Sequence, residues 1–372
     1  MTVLDSPVVR AARRAALVAG VGALGAAVCS AGLGAVTSGT SDVAVAPASM
    51  RVEQSPRAMP AAEQRALGLL RRAVTAQRTA TYSGTQWLSS QASGGAVTIV
   101  DVRHDPVRGT WFDTRTPAGG HTVPDGQATE LDGGALAALG HHYRLAVRGA
   151  DHCAGRPATL VEARVLGAER VAGRFWVDRE TGLLLRRELY DATGEIVRAT
   201  AFVQLDEGAA AAAVPAAATR PERDAPDRPL DDAALTGLRR QGWQLPDVLP
   251  GGMERYRATD LTVDGHRVVQ LAYSDGLFAA SLFVEQGGLD SAALHGFDRR
   301  QLAGTTVYVR TGLQRTVVWA GRSAVYTLVL EAPEALTPQL VAALPHRPLD
   351  DGMLARLGRG IDRVGSWANP FG

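Results

Sequence analysis

The chain has 372 residues, 46% of them hydrophobic and 21% charged, which is length for two ordinary domains and excludes both a disordered chain and a multi-span membrane protein. Basic and acidic residues nearly cancel, 39 against 38 for a net charge of +1, so the overall field points to neither a nucleic-acid surface nor a strongly acidic partner. All 39 basic residues are Arg and none is Lys, a bias of the whole chain that gives no single arginine functional weight.

The first forty residues read as an address. Arg10, Arg13 and Arg14 precede Ala15 to Val36, an uncharged run rich in Ala and Gly, and positive charge before an apolar run holds the N-terminus inside and sends the rest across the membrane. The run is long enough to stay as an anchor, and Ala46 and Ala48 offer a small-x-small cleavage site; both fates stay open. Cys29 lies in this leader and leaves Cys153 alone in the exported part, where it can form no internal disulfide and reads as a small buried thiol. Residues 1–60 are thus cytoplasmic tip, leader and stalk.

Residues 61–206 read as a first domain. Ala61 to Arg78 sets Leu67, Leu70 and Val74 at helical spacing and predicts one amphipathic helix. The period then falls to two in YSGTQWLSS, AVTIVDVRH and GTWFDTR, which predict strands. A short helix is expected over LDGGALAALGHHYRLAV, and strands resume at ATLVEARV. The stretch GRFWVDRETGLLLRRELYDATGEIVRATAFVQL reads as three strands joined by two tight turns. In DRETG and DATGE the Asp side chains bond local backbone, and Gly182 and Gly194 take the positive-φ position. Phe175 and Val177 should share one face with Trp176 on the other; Val197, Ala199, Ala201, Val203 and Leu205 should form one apolar face of the third strand.

Residues 207–232, Pro- and Ala-rich without apolar period, read as a linker. A second, β-rich domain spans 233–345, with strands at YRATDL, RVVQLAYSDG, LFAASLFVEQ, TTVYVRT, RTVVWAG and AVYTLVLEA, closed by the helix EALTPQLVAAL. In the tail, 346–372, Leu354, Leu357, Ile361 and Val364 form a helical stripe.

Chemistry is sparse. CxxC, HExxH, GxSxG and GxxxxGK[ST] are all missing, so no catalytic residue, metal ligand or cofactor is assigned. His141 and His142 are adjacent, and on a strand would point to opposite faces, which argues against one shared ion. His152 beside Cys153 reads as a turn residue, and Asp178, Asp191, Asp260, Asp264 and Asp275 all have turn or strand-end explanations. Trp87, Trp111, Phe175 and Trp176 lie on strands of the first domain; they either fill its core or line an apolar cavity for an acyl chain or peptide.

The combination RFWVDRETGLLLRRELYDATGEIVRATAF, GWQLPDVLPGG and YSDGLFAASLFVE, with the leader and the YSGTQW strand, resembles the RseB or MucB family of sigma-factor regulators over most of Ala61 to Leu344. The resemblance implies an α+β fold: an N-terminal open half-barrel of antiparallel strands with covering helices, like the lipoprotein carriers LolA and LolB, and a smaller β-rich C-terminal domain. It implies a non-enzymatic protein on the outer side of the cytoplasmic membrane, with an RseA-like membrane-bound anti-sigma factor as partner, which is bound, shielded from proteolysis and released when a lipid-type signal arrives. The alternative from a different class is a lipid or lipoprotein carrier. For partner contact, Tyr273, Asp275, Leu277 and Phe278 in the SDGLF strand pair are the candidates, because an unpaired strand edge accepts a peptide strand.

Overall fold

The computed structural model describes residues 58–91, 97–113, 121–123, 133–208 and 227–346, apart from loop positions 264–265, 290, 292–293, 295 and 312–313. The leader, the middle of the linker and the Leu354, Leu357, Ile361, Val364 stripe lie outside the described residues. Among the described residues, no helix is long and apolar enough to cross a membrane.

The chain enters on helix α1 (Ala61–Thr79), which lacks a side-chain N-cap and has Glu63 in its first turn. Strands β1 (Tyr82–Ser90), β2 (Val97–Asp105), β3 (Gly109–Asp113) and β4 (His121–Val123) follow. Helix α2 (Gly133–His142) leads directly into β5 (Tyr143–Cys153), so the predicted helix over residues 131–147 is cut short: the chain turns extended at Tyr143. His141 and His142 are therefore the last two residues of a helix rather than neighbours on a strand. Strands β6 (Arg156–Val165), β7 (Val171–Asp178), β8 (Leu184–Tyr190) and β9 (Ile196–Glu207) complete an antiparallel sheet in the order β4-β3-β2-β1-β9-β8-β7-β6-β5, open between its end strands.

The turns at DRETG and DATGE form as their residues dictate. Asp178 Oδ1 accepts from the amides of Glu180 and Thr181 at 2.8 and 3.2 Å, Asp191 Oδ1 from those of Thr193 and Glu195 at 2.8 and 3.0 Å, and Gly182 and Gly194 have φ of 81° and 87°. Cross-strand partners then set the two faces. Val161, Phe175, Arg187, Thr200 and Leu88 form one row, whose Val161 and Phe175 pack with Leu67, Leu70 and Val74 of α1. Burying each of those three side chains contributes about 1.5–3 kcal/mol. The next row, Leu160, Trp176, Arg186, Ala201, Trp87 and Ile99, lies on the opposite face. Phe175 and Trp176 thus separate as the alternation requires.

The apolar face expected along β9 breaks. The β1–β9 register shifts at Thr85/Gln86, where the pairing passes from Phe202 to Gln204 and skips Val203, which is 56% exposed. A β-bulge inserts one residue and reverses the inward and outward alternation beyond it.

The second sheet starts earlier than its pattern. Strand β10 (Arg228–Pro229) and helix α3 (Asp232–Arg240) precede β11 (Val248–Leu249), β12 (Met253–Val263), β13 (His266–Ser274), β14 (Ala279–Gln286), β15 (Asp298–Leu302), β16 (Thr305–Thr311), β17 (Arg315–Ala320) and β18 (Ala324–Glu331). Its order is β10-β12-β13-β14-β18-β17-β16-β15, with β11 also on β12. A short 3₁₀ turn (Glu334–Leu336) and α4 (Thr337–Ala343) close the chain's described part. Leu235 and Leu238 of α3 and Leu340 and Val341 of α4 pack with Val269, Leu271, Val317 and Trp319 of the sheet. The fold is α+β, with two open sheets covered by helices, and one apolar cluster runs unbroken from α1 to α4.

The sheets meet where the turn between β13 and β14 enters the first one. Gly276 has φ of 102°, and a Cβ there would lie 2.4 Å from Leu139 Cα and 2.5 Å from Leu139 N. Gly276→Ala should therefore destabilise by about 2 kcal/mol or more in urea denaturation. Gly194→Ala, with positive φ but open space around it, should cost only about 1 kcal/mol. Equal losses would mean that the close approach contributes nothing.

Candidate binding surfaces and the joint between the sheets

The four aromatic candidates do not share a cavity. Phe175 is fully buried on the α1 side, whereas Trp87 and Trp176 lie on the opposite face in one cross-strand row, so the sheet itself stands between them. Trp111 pairs with Arg103 on β2, whose guanidinium sits 5.1 Å from its ring. The Arg186 guanidinium lies between two indoles, 4.8 Å from Trp176 and 5.9 Å from Trp87. It also donates to Glu188, which accepts from the Tyr190 hydroxyl as well. Trp176 Nε1 donates to Asp151 Oδ2 at 2.7 Å. Alongside, buried Glu162 accepts from Arg148 and Arg164 at 2.9 Å and from Arg174 at 3.2 Å. Burial alone would raise the Glu162 carboxyl, but the three guanidiniums outweigh it and hold it below the usual carboxylate range. This is a self-satisfied ladder of aromatics, guanidiniums and carboxylates.

Tyr273, Asp275, Leu277 and Phe278 come together, in the joint between the sheets. Their exposures are 0, 5, 2 and 8%, so while the sheets are docked they are closed to an outside partner; the first domain fills the place in which a partner was expected. Tyr273 ties β13 to the GWQLPD segment, donating from its hydroxyl to Pro246 O at 2.7 Å. Asp275 is the hub. Its Oδ1 accepts from the amides of Leu277 and Phe278, both at 2.8 Å, and its Oδ2 from the Tyr143 hydroxyl across the joint at 2.6 Å. The Leu277 carbonyl accepts from Arg187 Nη2 at 2.6 Å, and the Leu277 side chain lies against Gly173, where a Cβ would come within 3.2 Å. Further along, Arg198 pairs with Glu331, whose second oxygen accepts from Gln314 Nε2 at 2.6 Å.

Sequence reasoning missed Tyr143, Arg187, Arg198 and Glu331. The signal for Arg187 lay in LLLRRELY: strand alternation sends two adjacent arginines to opposite faces, so one had to enter the helix-covered side and find an acceptor there.

Burial pushes the Asp275 carboxyl above the usual carboxylate range, and the donations from Tyr143, Phe278 and Leu277 oppose it. Its charged form is thus the disfavoured one, and the stability it contributes is fullest in acid and falls as pH rises through the raised value. Tyr143→Phe deletes a donor that favours the carboxylate. The expected loss is about 1–3 kcal/mol near neutral pH, shrinking as acid protonates Asp275, in denaturation series run across that range. A penalty independent of pH would contradict this account of the joint.

Residues 118–223 match the family profile described as the MucB/RseB N-terminal domain. A curated relative, the sigma factor AlgU regulatory protein MucB of Pseudomonas aeruginosa, is 31% identical over 182 residues, 47% of this chain and 53% of the relative; the match spans about half the relative's length. A crystal structure of MucB aligns over 76% of this chain and 98% of that one at 20% identity and a TM-score of 0.48. The complex structure of Pseudomonas aeruginosa MucA/MucB aligns over 76% and 99% at 22% identity and a TM-score of 0.44. On the sequence matches, this chain is similar to the MucB/RseB N-terminal domain over residues 118–223 and to a MucB protein over about half of that protein's length.

Proposed function

We propose that this chain is an extracytoplasmic regulator of a sigma-factor pathway, acting by binding the exported part of a membrane-bound anti-sigma factor and shielding it from proteolysis. The observation that carries the reading is the 31% identity over 182 residues to a protein named as a sigma-factor regulator. The leader agrees with it, since Arg10, Arg13 and Arg14 ahead of an apolar run direct the bulk of the chain outward. The domain limits that go with this reading are 61–206 and 233–345, with 207–232 between them.

The joint supports a binding role with a particular form. A partner that spans both sheets meets a surface whose relative placement is fixed by Tyr143–Asp275, Arg187–Leu277 and Arg198–Glu331. Tyr273, Asp275, Leu277 and Phe278 then act from within, by setting the angle at which the two sheets present themselves.

The direct test is calorimetric titration of the full chain with the exported segment of the anti-sigma factor encoded beside it. Binding at micromolar concentration or tighter is expected, and Arg187→Ala, checked for retained folding by circular dichroism, should weaken it about tenfold or more by loosening the joint. Absence of binding by the intact protein at those concentrations would overturn the regulator reading; binding unaffected by Arg187→Ala would place the contact within one sheet.

A further inference from the structure

The joint has a second cluster that the Asp275 hub does not use. α2 ends on His141 and His142 in the first domain, and both reach the same carboxylate of the second: His141 Nδ1 lies 3.6 Å and His142 Nε2 3.7 Å from Glu254 Oε1 on β12. The His142 ring lies against Gly252, where a Cβ would come within 2.8 Å of its Cε1, so only Gly admits it there. His142 Nε2 is buried and makes no hydrogen bond. It is a polar atom aimed at a carboxylate and held just beyond bonding distance.

We propose that His141, His142 and Glu254 form an acid-responsive clasp, in which protonation of the imidazoles turns two loose contacts into ion pairs and tightens the docking of the two sheets. Histidine is the side chain whose charge ordinarily changes between pH 5 and 8, the range an exported protein meets when its surroundings acidify. The other groups that face the cluster act as follows. Tyr143, the first residue of β5, donates to Asp275 and stays protonated, its hydroxyl pushed up by burial. Asp275, in the β13–β14 turn, is a further carboxyl, and the charge of His142 favours its ionised form against the burial that disfavours it. Arg170, between β6 and β7, is a positive charge felt by the Tyr143 hydroxyl. Acid therefore adds positive charge beside Glu254, which favours the docked state, while the charge on His142 offsets part of the direct effect of acid on Asp275. Glu254 and His141 are about half exposed, 48% and 42%, so solvent screens each contact and the effect is modest. The clasp rests on the docking geometry alone and stands or falls independently of the anti-sigma-factor reading.

Hydrogen exchange of the full chain, corrected for the intrinsic pH dependence of exchange, reads the docked fraction at the amides of Leu277 and Phe278, which bond Asp275 inside the joint. Between about pH 7.5 and about pH 5.5 their protection should rise about fivefold. Glu254→Gln, an isosteric change at a half-exposed position, should remove most of that rise, and so should His141→Gln with His142→Gln. Asp275→Asn, where it folds, should keep most of it. A flat response in the unmodified protein would overturn the clasp, and so would a full rise in Glu254→Gln, which would assign the titration to Asp275.

Discussion

One buried carboxylate holds the two sheets in register. Asp275 sits where the turn between β13 and β14 enters the first sheet, and it accepts two amide bonds from its own turn and one hydroxyl bond from across the joint. The first two shape the turn, and the third docks it. Burial raises the cost of the charged form, and that cost is tolerable only while all three donors stay in place. The turn's shape and the docking of the domains are therefore one structural condition. Gly276 completes it, because its missing Cβ lets the turn's backbone lie on that of Leu139.

The polar links across the joint matter more for placement than for strength. Apolar packing between the domains is broad and, taken alone, tolerates sliding; Phe175, Leu189, Leu277 and Phe278 all belong to one cluster. Arg187, donating to the Leu277 carbonyl, and Arg198, paired with Glu331, do not tolerate it, because displacement breaks these buried directional contacts. Buried ion pairs often add little net stability over well-packed apolar residues, but breaking one is costly. Their effect here is to make the docked arrangement a single geometry.

The same alternation explains how much of this was legible beforehand. Both glycine turns, the opposite faces of Phe175 and Trp176, and most strands of both sheets follow from local chemistry and a period of two. The bulge at Val203 does not, since no local residue announces where a register will slip. Helix α3 was hidden by the composition of the linker before it, although Asp231 caps it by accepting from the Ala234 amide at 2.7 Å and Leu235 and Leu238 mark its buried side. Strand β15 was missed because DRRQL is polar except for Leu302, as befits an exposed edge. For Tyr273, Asp275, Leu277 and Phe278 the sequence pattern conveyed a site of recognition; it carried no information on whether the thing recognised lies in another molecule or in the same chain. Likewise aromatics on three strands cannot be sorted into one cavity or two faces without the register.

This sorting changes where regulation can act. The outer face of the first sheet is a closed ladder in which Arg186, Arg174 and Arg103 each rest on an aromatic ring. The joint is different: its links cross between domains, so any ligand that binds the docked and undocked arrangements unequally shifts the balance between them by that difference alone. A joint held by apolar contact would respond to little except force or temperature. One held by a raised carboxyl, a hydroxyl and guanidiniums responds to charge, and charge is what an incoming partner or a change in the medium most readily alters. In this protein, then, the residues best placed to govern how the two sheets present themselves are buried ones that an outside molecule need not touch.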